Sequence, residues 1–300
     1  MINKKQNIII FNHNNHPIWA ERYNKITSVT KSINGAYTYS ENIVKFHIPE
    51  MIKVIAKTNY KNILINTVGT ITKEILPADT DLIIYYLHEN EKRELPRMQL
   101  IKQFYTGKII YITSCIEREK IFNRNNNKTI HLPMSIDVSE FKKYKDIEKY
   151  KGNRVLFFGN MYCGKNKQYN LLRREFKKKG WIFDTLTANK LNNGNLLSRD
   201  EVLKEVAKYS YGIGVGRTVL EMNALGLRTL ICARNINGIM TNDCEFEYMK
   251  ENNFTDVAHP VFSNDIKTCI ENFDKAIIRS SDVHDVLPIL KQKFETTLEI

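Results

Sequence analysis

From Tyr211 to Gly226 the chain reads Tyr-Gly-Ile-Gly-Val-Gly-Arg-Thr-Val-Leu-Glu-Met-Asn-Ala-Leu-Gly, setting the three glycines Gly212, Gly214 and Gly216, the Arg217 guanidinium, the Thr218 hydroxyl and the Glu221 carboxylate in close succession. The apolar spacing predicts a strand, a glycine turn, and a helix starting near Arg217. Glycine lacks a Cβ, so Gly214 and Gly216 would let a ligand approach the backbone closely. The first amides of a helix have no partner within it, and its dipole favours negative charge. The amides of Gly216, Arg217, Thr218 and Val219 are therefore candidates to hold a diphosphate. Arg217 adds a guanidinium suited to phosphate oxygens. Glu221 follows at i+4 on the same helix face, where a carboxylate can accept both hydroxyls of a ribose. Together these residues describe a nucleotide-diphosphate site. A plainer reading stays open: the glycines permit tight strand–helix packing, and Arg217 and Glu221 form a surface ion pair. The spacing matches neither a P-loop nor the complete dinucleotide fingerprint.

The segment resembles the nucleotide-sugar region of GT-B glycosyltransferases of the glycogen-synthase-like group (group 1), whose members often read Gly-Arg-x-x-Leu-Glu-Ala-x-Ala-x-Gly-x-Pro-x-Ile. Gly216, Arg217, Leu220, Glu221, Ala224 and Gly226 match, whereas Met222, Arg228 and Leu230 depart from the pattern. Arg154-Val-Leu-Phe-Phe-Gly-Asn160 is similar to the strand that opens the family's nucleotide-binding domain. There the resemblance implies an arginine and, five residues on, a lysine at the donor phosphates. Asn160 stands in the arginine place and Lys165 in the lysine place, so one cation is missing. Ile109 to Ser114 and Lys128 to Asp137, with Phe141, resemble the stretch before the family's interdomain linker.

The resemblance implies an α/β fold with two Rossmann-like domains facing each other across a cleft, the donor bound mainly by the second and the acceptor by the first. It implies transfer without a metal, because helix dipole and basic side chains can neutralise the leaving diphosphate. No cofactor is expected beyond the nucleotide sugar, which is a substrate. Gly214, Gly216, Arg217, Thr218, Glu221, Lys165 and Asn160 are the expected donor-binding residues. His88 follows a strand where similar enzymes often present a histidine or an acid, and it is the candidate general base; a solvated strand-end histidine is the alternative. His13 and His16 lie in a loop after the first strand and are weaker candidates. Many retaining members carry a first glutamate separated by seven residues from the counterpart of Glu221. Ile213 occupies that place, which leaves the stereochemical course open.

The elements that must position these residues alternate as strand and helix, the pattern of parallel sheet with crossover helices. Strands are predicted near Asn7 to Phe11, Asn62 to Asn66, Leu82 to Leu87, Lys108 to Thr113 and Thr129 to Leu132. After Asn153 they recur at Arg154 to Phe158, Trp181 to Leu186, Tyr211 to Gly214 and Thr229 to Ala233. Helices are predicted at Pro49 to Thr58, Pro96 to Phe104, Cys115 to Phe122, Gln168 to Lys179, Arg199 to Tyr209, Arg217 to Leu225 and Asp265 to Ile277. Ser198 and Glu201 form a capping-box signature. The charged run from Phe141 to Asn153 reads as a linker. This divides the chain into residues 1–148, on the acceptor side, and 149–300, on the donor side, with the last helix a candidate to pack back on the first domain.

With 42% hydrophobic and 26% charged residues, the composition is that of a globular protein. The five scattered cysteines fit neither a zinc site nor a disulfide framework and favour a reducing cytoplasm. No apolar run suits a signal peptide or an integral membrane segment. The formal charge of +12 favours an anionic partner, although Lys, Asn and Ile share A/T-rich codons and part of the charge can reflect genome composition. The basic helix Gln168 to Lys179 would suit such a partner or peripheral membrane contact, with a plain solvated face as the alternative. The leading expectation is sugar transfer to an acceptor such as a surface glycan, a lipid-linked intermediate or a modified DNA base. The alternative is a catalytically inactive nucleotide-binding or nucleic-acid-binding protein that retains the fold.

Overall fold

The structure, a computed structural model, describes residues 7–11, 55, 57–66, 71, 73, 76, 78–87, 90–124, 127–159, 166–187, 197–232, 235–255 and 265–298. His13, His16, His88, Asn160, Lys165 and most of the helix predicted over Pro49 to Thr58 lie outside these residues.

The chain forms two compact units. One comprises residues 1–133 together with 284–300, and the other is the uninterrupted stretch 134–283. The first unit holds a sheet of β1 (Asn7–Phe11), β2 (Asn62–Asn66), β3 (Leu82–Tyr86), β4 (Lys108–Thr113) and β5 (Thr129–His131), all parallel and in sequential order. Strands β2 and β3 are almost continuously buried, as a sheet covered on both faces requires. Helices α1 (Glu91–Phe104) and α2 (Ile116–Arg124) cover one face, where Met98, Ile101 and Phe122 pack on Leu64, Ile83, Tyr85 and Tyr111. Helix α1 begins ahead of the predicted start at Pro96, with Asn90 as its N-cap and Glu91 and Glu94 in the dipole-favoured first turn.

The opposite face is covered from the far end of the chain. Leu290, Phe294 and Leu298 of the last helix, Val283–Leu298, pack with Ile55 against Ile63, Ile65, Ile84 and Ile112.

The second unit contains β6 (Arg154–Phe158), β7 (Ile182–Leu186), β8 (Tyr211–Gly214), β9 (Arg228–Cys232) and β10 (Ile236–Ile239), in the order β10-β9-β8-β6-β7. All pairings are parallel except that of the edge strand β10, which the sequence pattern does not predict. The helices are α3 (Asn166–Lys178), α4 (Arg199–Ala207), α5 (Arg217–Ala224), α6 (Asp243–Glu251) and α7 (Ile266–Glu271); the last helix of the first unit is α8. Leu172 and Phe176 of α3 share a core with Cys269 and Ile270 of α7. After β7 the chain runs the opposite way along the sheet, so the general right-handed rule for such crossovers assigns α4 and α5 to the face opposite α3.

The predicted linker is instead built into this unit, and the predicted boundary after residue 148 falls inside it. Phe141 is fully buried and Tyr144 nearly so. Lys149 donates from Nζ to the carbonyls of Ala207 (2.6 Å) and Leu225 (3.0 Å), beside the ends of α4 and α5. Aromatic residues spaced among the lysines supply the burial that a count of charges hides. No helix among the described residues is long and apolar enough to cross a membrane.

Candidate functional site

From β6 the chain crosses to β7 on one side, then returns past β6 to β8 on the other. The strand order therefore reverses between β6 and β8. In open α/β sheets such a reversal opens a crevice at the carboxyl ends of the strands, where ligands bind. Gly159 follows β6 there, and Gly214, Val215 and Gly216 follow β8 into α5. The described strands of the first sheet run in order with no such reversal.

The three glycines serve two different purposes. A Cβ on Gly212 would lie 2.2 Å from Met222 Sδ, and one on Gly214 would lie 2.5 Å from Thr218 Oγ1 and 2.7 Å from Met222 Cε. Both residues thus let α5 sit tightly against its strand, in line with the packing alternative. A Cβ on Gly216 would meet the Asn253 carbonyl oxygen only at ordinary contact distance (3.6 Å), but the residue adopts φ +60°, ψ −131°, a conformation that favours glycine.

The Gly216 and Val219 amides, both expected to receive phosphate, are engaged within the protein. Gly216 N–H donates to the Phe254 carbonyl (2.8 Å), and Val219 N–H donates to the Gly216 carbonyl (3.1 Å). The Thr218 hydroxyl folds back, accepting from Val215 N–H (3.0 Å) and donating to the Val215 carbonyl (2.9 Å). Behind the turn, Asn253 and Phe254 hold positive φ angles of 60° and 48°, with Phe254 fully buried.

Glu221 lies one turn into α5 and anchors a charged cluster. Arg199, the first residue of α4, grips its carboxylate with both terminal nitrogens: Nη1 to Oε2 at 3.1 Å and Nη2 to Oε1 at 2.5 Å. Arg217, the first residue of α5, approaches Oε1 through Nε at 2.5 Å. Side-chain exposure is 3% for Glu221, 5% for Arg217 and 28% for Arg199. The i,i+4 pair predicted as a surface feature is therefore enclosed, and a second arginine completes it. The capping box predicted from Ser198 and Glu201 is formed, and it fixes the start of α4 beside this cluster.

The solved structures similar to the chain include two glycosyltransferases. One is AviGT4, a glycosyltransferase involved in avilamycin A biosynthesis, at 9% identity and a TM-score of 0.44, covering 98% of this chain and 97% of that one. The other is a glycosyltransferase from Rickettsia africae ESF-5, at 12% identity and a TM-score of 0.47, covering 99% of each chain. No protein-family model and no curated protein matches the sequence. Similarity this loose carries no chemistry, so the site rests on its own topology and contacts.

In the first unit, His88 falls between the buried Leu87 and the N-cap Asn90, outside the described residues. The sequence reading missed a buried acid close by. Glu94, 1% exposed, accepts from the Tyr85 hydroxyl (3.0 Å) and from Arg97 Nη1 (3.1 Å). Burial raises the Glu94 carboxyl above its ordinary value, opposed by the Tyr85 hydrogen bond and by Arg97 and Arg93. Burial also pushes the neighbouring Tyr111 phenol up to about 12.

Proposed function

We propose that the chain is a glycosyltransferase that moves a sugar from a nucleotide-diphosphate donor to an acceptor of the surface-glycan, lipid-linked or modified-DNA-base kind. The observation that carries this reading is a coincidence of place. The Gly216 turn and the Arg199–Glu221–Arg217 cluster stand where the second sheet reverses its strand order.

In this reading the start of α5, with Gly214, Gly216, Arg217 and Thr218, receives the diphosphate, and Asn160 and Lys165 complete the donor side. Glu221 belongs to the same donor site. The first unit takes the acceptor, with His88 as the base that accepts the proton of the attacking hydroxyl, the division of labour that the GT-B resemblance implies. Developing charge on the leaving diphosphate is balanced by the helix start and the arginines. The proposed transfer accordingly needs no metal, and activity is expected to survive EDTA.

The test is incubation with UDP-, GDP-, ADP- and dTDP-sugars, following both hydrolysis and binding. Failure to bind or turn over any of them refutes the reading. A second reading, a donor-binding protein without catalysis, draws support from the closure of Glu221 under two arginines. Donor binding by calorimetry with no turnover on any acceptor would favour it.

A further inference from the structure

We propose that the outer face of α3 is a docking surface for an anionic lipid bilayer, held to the headgroups by charge and without insertion into the acyl layer. The contact stands apart from the donor reading, because it needs no nucleotide sugar; where that reading holds, it favours the lipid-linked acceptor among the three kinds.

Helix α3 carries Lys167, Arg173, Arg174, Lys177 and Lys178 against a single acid, Glu175. In α1, the described helix with the next largest excess, four cations face two acids. A codon bias acts on every helix alike, so it does not account for one that stands apart. Helix stability does not account for it either. Cations suit the last turn, where Lys177 and Lys178 lie, but Lys167 stands in the first.

The five cations share the solvent face. At about 100° per residue they and Asn170 fill one side of α3, and all six are exposed, while Leu172 and Phe176 turn to the core. From Lys167 to Lys178 the stripe runs about 17 Å. Glu175, its side chain 13% exposed, is taken by Arg174 (3.1 Å) and Lys178 (3.0 Å). Lys167, Arg173 and Lys177 make no ion pair among the described residues.

The geometry suits a plane better than a groove. Helix α3 shares its core with α7 alongside, and Lys179, just past its end, pairs with Glu271 of α7 (2.8 Å). A helix shouldered in this way does not enter a DNA major groove about 12 Å wide. Nor does α3 expose an aromatic ring for base stacking, since Tyr169 packs on Phe157 and Phe183. Leu100, Ile182, Ile278 and Ile289, the exposed large apolar side chains among the described residues, all lie off α3, so the contact is electrostatic. Basic clusters of this size on a helix are what anionic headgroups attract.

The test is sedimentation of the full chain with vesicles of phosphatidylcholine alone or with about a third phosphatidylglycerol, at about 0.1 M and about 1 M salt, where screening lengths are about 10 Å and 3 Å. Wild type is expected to bind only the anionic vesicles, and only at the lower salt. Arg173→Gln/Lys177→Gln removes two unpaired cations, so it should keep the thermal midpoint and weaken binding about thirtyfold, at about fivefold for each charge. Lys167→Gln should weaken it about fivefold and is the reporting variant if the double one does not fold. Lys61→Gln/Lys73→Gln takes the same charge from exposed positions of the first unit and should bind as wild type does. Equal binding to both vesicle types, binding to neither, or equal losses in the two double variants would each overturn the proposal. Binding to duplex DNA in place of vesicles would overturn it too, and would mark the face as a nucleic-acid surface. Donor binding without vesicle binding sinks this inference alone; vesicle binding without donor binding sinks the donor reading alone.

Discussion

Replacing Glu221 with alanine leaves two guanidinium groups to share a space built around a carboxylate. Arg217, 5% exposed, has almost no access to water, whereas Arg199, 28% exposed, can turn outward. Removing one partner of a buried pair costs about 3–5 kcal/mol, against about 0–1 kcal/mol for a pair on the surface. For a unit of this size each kcal/mol lowers the thermal midpoint by about 2–4 °C, so the variant should melt roughly 6–20 °C below wild type. The double variant Arg217→Leu/Glu221→Leu removes both enclosed charges and should recover most of that loss, because apolar replacement of a buried pair is often neutral or stabilising. The assay is urea and thermal unfolding in a Trp19→Phe background, so that the signal comes from Trp181, whose ring packs against Tyr211 and Phe273 in the second unit. A Glu221→Ala loss below about 1 kcal/mol would mean the cluster behaves as a surface pair, refuting the reasoning. A double variant less stable than the single one would refute it equally.

Gly214→Ala should destabilise the second unit by about 1–3 kcal/mol through overpacking against Thr218 and Met222, read as a shift in urea midpoint. Gly216→Ala should cost about 1–3 kcal/mol by a different route, backbone strain at φ +60° with no close contact, and a neutral result would show that the turn relaxes. Phe294→Ala in α8 should remove about 3–5 kcal/mol from the first unit, since the ring is fully buried on the sheet, while leaving the Trp181 transition in place. Glu94→Gln tests the buried acid through pH. A raised folded-state value means its contribution is fully present below the ordinary value of 4.5 and is lost as pH rises through the folded value. Glutamine mimics the protonated form, so the variant should gain on wild type as pH rises from acid towards neutrality. Parallel stability curves would contradict this.

Local signals made the strand, turn and helix around Gly216 legible, because glycine spacing and the following apolar helix face each act within a few residues. The Ser198 cap was legible for the same reason. Arg199 was not. Its partner lies 22 residues away, and only the crossing from α4 through β8 to α5 brings them together. The strand reversal that marks the crevice is likewise a property of sheet order, which depends on long-range pairing. Helix α8 has no neighbour in sequence that explains its apolar face; its partners are strands more than a hundred residues upstream. In the Phe141–Asn153 stretch, charge count suggested a linker while three interspersed aromatic residues determined burial.

The interruption of the first unit by the second has a consequence for synthesis on the ribosome. Strands β1 to β5 are made before residues 134–283, yet one face of their sheet also needs Leu290, Phe294 and Leu298, which are made after them. At about 5–20 residues per second, the intervening stretch 134–283 takes roughly 8–30 s to translate. Over that interval Ile63, Ile65, Ile84 and Ile112 lack the cover of α8, whereas the second unit can complete its core as a single continuous segment. The core of the first unit thus closes only when α8 has been made and returns to the sheet, after the whole of the second unit.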